Sequence, residues 1–191
     1  QDPLFLAYMQ QELYHQITRR YIGEDVAVFR SMFMNKPAYW DQTLPWHQDI
    51  GQGWGIDDNP TITIWLALDQ ATVANGCMRV LPRTHTKTLL KRSEMVELDP
   101  DKYVLTEGIN PDQIDDADAV DLELKAGDVS IHHPHIVHGS NANTSNQWRV
   151  GLTLRYIPTS TKVKTEYPSI MCRGEVVPEV DQVERRDGAN P

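Results

Sequence analysis

The sequence predicts a mainly β protein of the antiparallel sandwich or jelly-roll type. Several short segments rich in β-branched and large apolar residues are separated by turn signals such as Asn75-Gly76 and Gly127-Asp128. Only residues 4–21 show a clear helical pattern. A barrel of this kind has a mouth at which side chains from different strands converge, so we expect any functional site there.

The first element is predicted to be an amphipathic helix over residues 4–21. Leu6, Met9, Leu13 and Ile17 recur at spacings of three and four residues, which is the period of one helix face. Asp2-Pro3 supplies a capping residue followed by proline at the first helical position.

The remaining regular elements are predicted to be short strands. Each is apolar, rich in β-branched residues or alternating, and each ends at a turn or loop signal. The predicted strands are 26–34, 61–68, 77–81, 120–124, 129–133, 136–138 and 148–157. Residues 37–60 and 82–118 are predicted to be loops, with one helical turn near 87–92, and the chain from 158 onward an irregular tail.

Length and composition favour one soluble domain over residues 1–191, with part of the N-terminal region missing because no initiator Met is present. The formal charge of −9 disfavours nucleic acid as a partner. Two distant cysteines, Cys77 and Cys172, do not form a disulfide framework. No apolar run approaches the roughly 20 residues that span a bilayer. We therefore expect a cytoplasmic monomer or homodimer that acts on a small molecule and binds no membrane.

His47 and Asp49 form the first motif with chemical meaning. In an extended chain, residues i and i+2 point to the same side, so the imidazole and the carboxylate face one point. A His-x-Asp triplet is weak evidence alone, because it also arises by chance.

The second motif is the run from His132 to His138, which holds four of the chain's seven histidines. At least two of the four are expected to be packing or surface residues. One of them, brought from a distant strand, would complete a set of two histidines and one carboxylate. That set leaves three positions open and is typical of non-haem iron(II) oxygenases. Zinc is the rival metal, although catalytic zinc sites more often keep one open position.

Arg149 is the third candidate, at the start of the last predicted strand and eleven residues after His138. Its neighbours Trp148 and Val150 are apolar, which favours a buried position over a surface ion pair. A guanidinium group there can bind a carboxylate through two parallel hydrogen bonds.

Further motifs accompany these three in order along residues 26–158. They are Trp46-His47-Gln48-Asp49, Ile64-Trp65-Leu66-Ala67-Leu68-Asp69, Asn75-Gly76-Cys77-Met78-Arg79-Val80-Leu81-Pro82 with Thr84-His85, Ala126-Gly127-Asp128, His138-Gly139-Ser140 and Arg149-Val150-Gly151-Leu152. With them the chain resembles the phytanoyl-CoA dioxygenase family of iron(II)- and 2-oxoglutarate-dependent oxygenases. The resemblance implies a double-stranded β-helix, cupin-like, with a few flanking helices.

The resemblance also implies residue roles. His47, Asp49 and His138 match the family's iron ligands, and Arg149 matches the residue that binds the distal carboxylate of 2-oxoglutarate. The positions expected to line the cosubstrate pocket are Gln48, Trp65, Ser140 and, on the strand segment 32–34, Phe33.

One loop departs from the family pattern. Arg83 stands where the family usually has glycine, which leaves open the conformation of that turn. His85 closes the same loop motif and is expected to be structural.

The function that the resemblance implies is hydroxylation of a small metabolite, with iron(II), 2-oxoglutarate and O2 as cofactors and co-substrates, and with release of succinate and CO2. Desaturation, epimerisation or ring formation with the same cofactors stays open, because the outcome depends on how the substrate is positioned. A non-catalytic cupin-like metal or metabolite sensor is the alternative from another class.

Overall fold

The computed structural model describes residues 3–49, 55–56, 60–86, 94–164, 169–175, 177 and 183–184. Its helices are α1 (Pro3–Met9) and α2 (Glu12–Ile22). Its strands are β1 (Val26–Lys36), β2 (Leu44–His47), β3 (Ile62–Ala67), β4 (Met78–Val80), β5 (Met95–Glu97), β6 (Glu107–Ile109), β7 (Val120–Leu122), β8 (Val129–His132), β9 (His138–Ser140), β10 (Arg149–Pro158), β11 (Ser169–Arg173) and β12 (Val183–Glu184). The helical turn predicted near 87–92 lies outside the described residues.

Successive strands alternate between two sheets. The six-stranded sheet has the order β12-β11-β1-β10-β3-β8, and the four-stranded sheet has the order β2-β9-β4-β7. From β1 to β4, and again from β7 to β10, each strand lies in the other sheet from the strand before it. β5 and β6 form a separate two-stranded sheet. This is the winding of a double-stranded β-helix, so the predicted fold class is confirmed.

The predicted helix over residues 4–21 is wrong in one respect, because it is two helices. Gln11 has an extended backbone (φ −60°, ψ 143°) and precedes the first turn of α2. The side-chain amide of Gln10 donates to the backbone oxygen of Met171, 2.7 Å away and 161 positions along the chain. A tertiary contact therefore accompanies the break, and helix periodicity does not reveal such a contact.

The buried face of α2 also differs from the predicted one. Tyr14, Thr18 and Ile22 are buried, whereas Leu13 is 59% exposed. Tyr14 stacks on Tyr156 with ring centroids 6.2 Å apart, which draws this face of the helix inward.

Three segments predicted to be irregular contain strands. β2 lies in the predicted loop 37–60, the β5–β6 hairpin lies within 82–118, and β11 lies in the predicted tail and pairs antiparallel with β1. These strands are short or lack alternation, so they form because of the strands with which they pair rather than because of their own sequence patterns. The strand predicted at 136–138 begins at its last residue, because residues 134–136 form the preceding turn.

The described residues fall into two compact units, the first within the ranges 1–32, 54–64 and 153–191, and the second within the ranges 33–53 and 65–152. The single domain expected from length stays a prediction. The first unit has a core cluster of Ala27, Ile157 and Val163 with Phe29 and Ile56. The second has two clusters, one of Trp65, Ala67, Ala71 and Cys77 with Leu124, and one of Leu81, Ile109 and Val137 with Trp46, Ile114 and Ala119.

Two expectations from composition concern the cysteines and the membrane. The thiols of Cys77 and Cys172 are both free, and Cys77 packs as a small apolar residue in a core cluster. Within the described residues, neither helix has the length and apolarity to cross a bilayer.

Candidate metal and cosubstrate site

The pairing of β2 with β9 sets two histidines opposite each other. Leu44 pairs with Ser140, and His47 pairs with His138, so three steps along β2 correspond to two along β9. One extra residue in β2, a β-bulge, accounts for this difference. Because paired residues of antiparallel strands point to the same face, the bulge brings both imidazoles to one side, with ring centroids 4.2 Å apart.

Asp49 completes the group two residues after His47. Its backbone N–H donates to the backbone oxygen of Pro134 at 2.8 Å, which ties the end of β2 to the turn before β9. The carboxylate is buried, and its Oδ1 lies 4.0 Å from Nε2 of His47 and 3.8 Å from Nε2 of His138.

These three side chains can share one metal ion. One ligand atom from each lies within 4.8 Å of the others, and no other such group of His, Cys, Asp or Glu occurs within the described residues. Two ligand atoms that are each about 2.0–2.2 Å from a common ion are separated by at most about 4.4 Å. The distances from Oδ1 of Asp49 to Nε2 of His47 and of His138, 4.0 and 3.8 Å, lie within that limit.

Hydrogen bonds indicate which nitrogen of His47 and of His138 carries a proton. Nδ1 of His47 lies 2.8 Å from the backbone oxygen of Pro45, and Nδ1 of His138 lies 3.0 Å from that of Ile136. A carbonyl oxygen only accepts, so each Nδ1 carries the proton and each Nε2 keeps its lone pair. Burial, and then the charge of His47, lower the pKa of His138 to about 3, so its imidazole is neutral and able to bind a metal.

The histidine run divides into an inner and an outer group. His132 is buried beside Asp49, with its ring centroid 5.0 Å from that of His138. The ring of His133 meets that of His135 edge-on, with centroids 4.9 Å apart, and lies tilted to that of His85, 5.6 Å away, in a separate cluster that is partly open to solvent. The expectation that at least two histidines of the run serve other roles therefore agrees with the structure, but the inward position of His132 was not foreseen.

Arg149 is buried at 4% exposure at the start of β10. Its guanidinium carbon lies 5.5 Å from the ring centroid of Trp65, and its Nη1 makes one long hydrogen bond of 3.4 Å to the backbone oxygen of Met34. Its Nε has no hydrogen-bond partner in the described part of the chain, and burial lowers its pKa to about 10. A desolvated cation with unused donors fits the binding of an anion.

Lys36, the last residue of β1, is a second buried basic residue, and no motif in the sequence pointed to it. Its Nζ donates to the backbone oxygens of Ser140, at 3.2 Å, and of Asn141. Burial lowers its pKa to about 7, and the charge of Arg149 contributes to that shift. Lys36 therefore connects the end of β1 to the end of β9, within electrostatic reach of Arg149.

Of the remaining predicted pocket residues, the structure places Trp65 with Arg149 and Ser140 two positions beyond His138 on the same face of β9. Ser140 is buried, and its Oγ has no hydrogen-bond partner within the described residues. Gln48 is buried too, but its amide donates to the backbone oxygen of His135 at 2.7 Å.

Phe33 is not brought to this group. It is 55% exposed, and strand alternation points it to the face of β1 opposite Lys36. Met34 and Lys36 share the other face, and they are the residues of this strand that lie beside Arg149. Phe33 in the cosubstrate pocket is thus an expectation that the geometry does not support.

The structure shows the conformation of the turn at Arg83, in the loop after β4. Arg83 has a φ of +66°, in the left-handed region that a glycine occupies without steric cost. The turn therefore keeps a glycine-type conformation although the residue is arginine.

Comparison with known proteins agrees with this geometry. The chain is 35% identical over 136 residues to "Phytanoyl-CoA dioxygenase 1" of Oryza sativa subsp. japonica, covering 70% of this chain and 45% of that protein. It is similar to the solved structure "non-heme monooxygenase; ThoJ apo" with a TM-score of 0.77 and 28% identity, over 93% of this chain and 64% of that one. For "Non-heme monooxygenase, ThoJ-Ni complex" the TM-score is 0.68 and the identity 26%, over 93% of this chain and 62% of that one.

The chain thus spans about half of the rice protein and less than two thirds of the solved structures. Residues 2–151, which include every predicted site residue, match the family described as phytanoyl-CoA dioxygenase (PhyH). The chain belongs to the phytanoyl-CoA dioxygenase family.

Proposed function

We propose that this chain is an iron(II)- and 2-oxoglutarate-dependent oxygenase that hydroxylates a small metabolite, with release of succinate and CO2. The observation that carries the proposal is the convergence of His47, Asp49 and His138, whose ligand atoms lie within 4.8 Å of one another. Family membership and the similarity to a structure described as a non-haem monooxygenase support the same class of reaction.

The ligand set favours iron(II). Two neutral imidazoles and one carboxylate suit borderline divalent metals, and three protein ligands leave positions for other ligands. The similar structure described as a nickel complex indicates that related sites also accept Ni²⁺. Iron(II), when bound, would activate O2 at the expense of 2-oxoglutarate, which loses CO2 and becomes succinate.

Arg149 supports 2-oxoglutarate as the cosubstrate. A dicarboxylate needs one cation for the end that does not reach the metal, and Arg149 offers a buried guanidinium with an Nε that lacks a partner within the described residues. Ser140, with its unpartnered Oγ, and Trp65, over which the guanidinium lies, are proposed to complete the pocket.

The protein residues have three tasks in this reaction. The carbonyls of Pro45 and Ile136 hold the ligand histidines in the tautomer that has the lone pair on Nε2. Arg149 positions the cosubstrate, and the burial of Asp49 and His138 excludes water from the centre. We also propose that the substrate is a small molecule and that the protein is a monomer or a homodimer.

The test is succinate formation from 2-oxoglutarate by the iron-loaded protein in air, measured with a panel of small metabolites. We expect a subset of compounds to stimulate turnover and to gain one oxygen atom by mass spectrometry. Asp49→Ala should abolish turnover, whereas the exposed Asp101→Ala should leave it unchanged. Binding of iron and 2-oxoglutarate without succinate formation under any condition would favour a sensor instead.

A further inference from the structure

The carboxylate of Asp49 is approached from two sides. Its Oδ1 faces Nε2 of His47 and Nε2 of His138, at 4.0 and 3.8 Å. Its other oxygen, Oδ2, faces Nε2 of a third histidine, His132, at 3.5 Å. One carboxylate oxygen therefore points toward the other ligands, and the second points toward His132.

His132 is buried, and neither of its ring nitrogens makes a hydrogen bond within the described residues. The distance from Nε2 to Oδ2 exceeds the usual upper limit for N–H···O bonds by only about 0.3 Å. A buried imidazole N–H needs an acceptor, and Oδ2 of Asp49 is the one within reach.

The neighbours of each imidazole distinguish His132 from the two ligand histidines. In His47 and His138 a carbonyl oxygen holds the proton on Nδ1, so the neutral imidazole has its lone pair on Nε2, the atom that can bind a metal. In His132 no carbonyl holds a proton on Nδ1 within the described residues, and the carboxylate lies nearer to Nε2, at 3.5 Å, where it favours a proton donor over a lone pair. The proton of His132 thus belongs on Nε2, and this histidine does not ligate the metal through that atom.

We propose that His132 is a positioning residue that donates from Nε2 to Oδ2 of Asp49 and so keeps Oδ1 aimed at the metal. The inference rests on the proposed function, because it takes Asp49 to be a metal ligand.

The experiment measures Ni²⁺ affinity by calorimetry in the full chain, with no turnover involved. Loss of a hydrogen bond to a metal ligand typically weakens metal binding by roughly 10–100-fold, and we expect this for His132→Phe, which keeps the ring and removes the donor. His132→Gln, which retains an N–H donor, should bind within a few-fold of the wild type. His133→Phe is the matched control in the outer histidine cluster and should bind normally.

A double-mutant cycle separates positioning from a general structural role. In an Asp49→Ala background, His132→Phe should cause no further loss, because its effect acts through that carboxylate. An equal loss in both backgrounds would overturn the proposal, as would wild-type affinity in His132→Phe. If His132→Phe does not fold, judged by circular dichroism, then His132→Gln against His132→Met gives the same comparison of donor with no donor.

The same data separate this inference from the proposed function. If Asp49→Ala binds Ni²⁺ as tightly as the wild type, the metal site itself is wrong, and the role of His132 falls with it. If Asp49→Ala loses affinity while His132→Phe does not, only the inference about His132 fails.

Discussion

The indole of Trp65 occupies the space that any side chain at Gly151 would fill. A Cβ atom on Gly151 would lie 2.1 Å from Cζ2 of Trp65 and 2.5 Å from its Cε2. The same indole lies beside the guanidinium of Arg149, whose carbon is 5.5 Å from the ring centroid. The absence of a side chain at position 151 therefore sets where the ring next to the proposed cosubstrate cation can lie.

Gly151→Ala should displace Trp65 and weaken 2-oxoglutarate binding. Overpacking a filled interior costs about 1–3 kcal/mol of folding free energy, and the shift would also move the ring away from Arg149. Melting temperature and cosubstrate titration measure the two effects. Adding Trp65→Phe, which removes part of the indole, should recover some stability. Additive losses in the double variant would show that the two residues do not compete for this space.

Arg149→Ala should weaken 2-oxoglutarate binding and leave the metal in place. Truncating one partner of a buried charged pair costs about 2–5 kcal/mol. Arg149→Lys keeps the charge but loses the planar fork, so it should recover only part of the affinity. Titration of the two metal-loaded variants with 2-oxoglutarate measures their affinities for the cosubstrate. Unchanged affinity in Arg149→Ala would remove this residue from the site.

Asp49→Ala should abolish metal-dependent turnover and leave the fold largely intact. The tie between this segment and the turn before β9 is a backbone hydrogen bond from Asp49 to Pro134, which the substitution keeps. A purely structural carboxylate would instead cost about 1 kcal/mol of stability and leave turnover unchanged. Paired measurements of melting temperature and succinate release decide between these outcomes, and full activity would refute the metal assignment.

Lys36 should make stability depend on pH. Its pKa falls from 10.5 to about 7 in the folded protein, mainly through burial and then through the charge of Arg149. Between those values the unfolded chain binds more protons than the folded chain, so the free energy of unfolding rises as pH rises from about 7.

The slope due to Lys36 is at most about 1.4 kcal/mol per pH unit. Lys36→Met, which keeps the length of the side chain without the charge, should flatten the profile between pH 7 and 8.5. Denaturant unfolding at several pH values measures the difference between the two proteins. Parallel profiles would show that Lys36 stays charged in the folded state.

Arg83→Gly should stabilise the protein by about 1 kcal/mol. Arg83 is exposed and has a φ of +66°, a conformation that costs a residue with a side chain about 1–2 kcal/mol and costs glycine almost nothing. Arg83→Ala is the control, because it removes the same side chain and keeps the strain. Equal melting temperatures for the glycine and alanine variants would contradict the strain argument.

The sequence by itself predicted the fold class, which the structure confirms, and named the three candidate metal ligands that the structure brings together. Alternation and turn signals located most of the strands that build the two large sheets, because these signals are local. His47 and Asp49 were recognisable for the same reason, since a spacing of two in an extended chain places both on one face. Local patterns did not show which histidine of the run joins the site or what Arg149 binds. The motifs shared with the family assigned those roles to His138 and Arg149.

The tertiary structure alone decided how the two halves of the site meet. Regular pairing of β2 with β9 from Leu44 and Ser140 would set Trp46 opposite His138 and turn His47 to the other face. The bulge adds one residue and returns His47 to the face of His138. The inward position of His132 and the burial of Lys36 are likewise consequences of which strands become neighbours. Contacts between residues about a hundred positions apart set these features, and periodicity within one segment carries no information about such contacts.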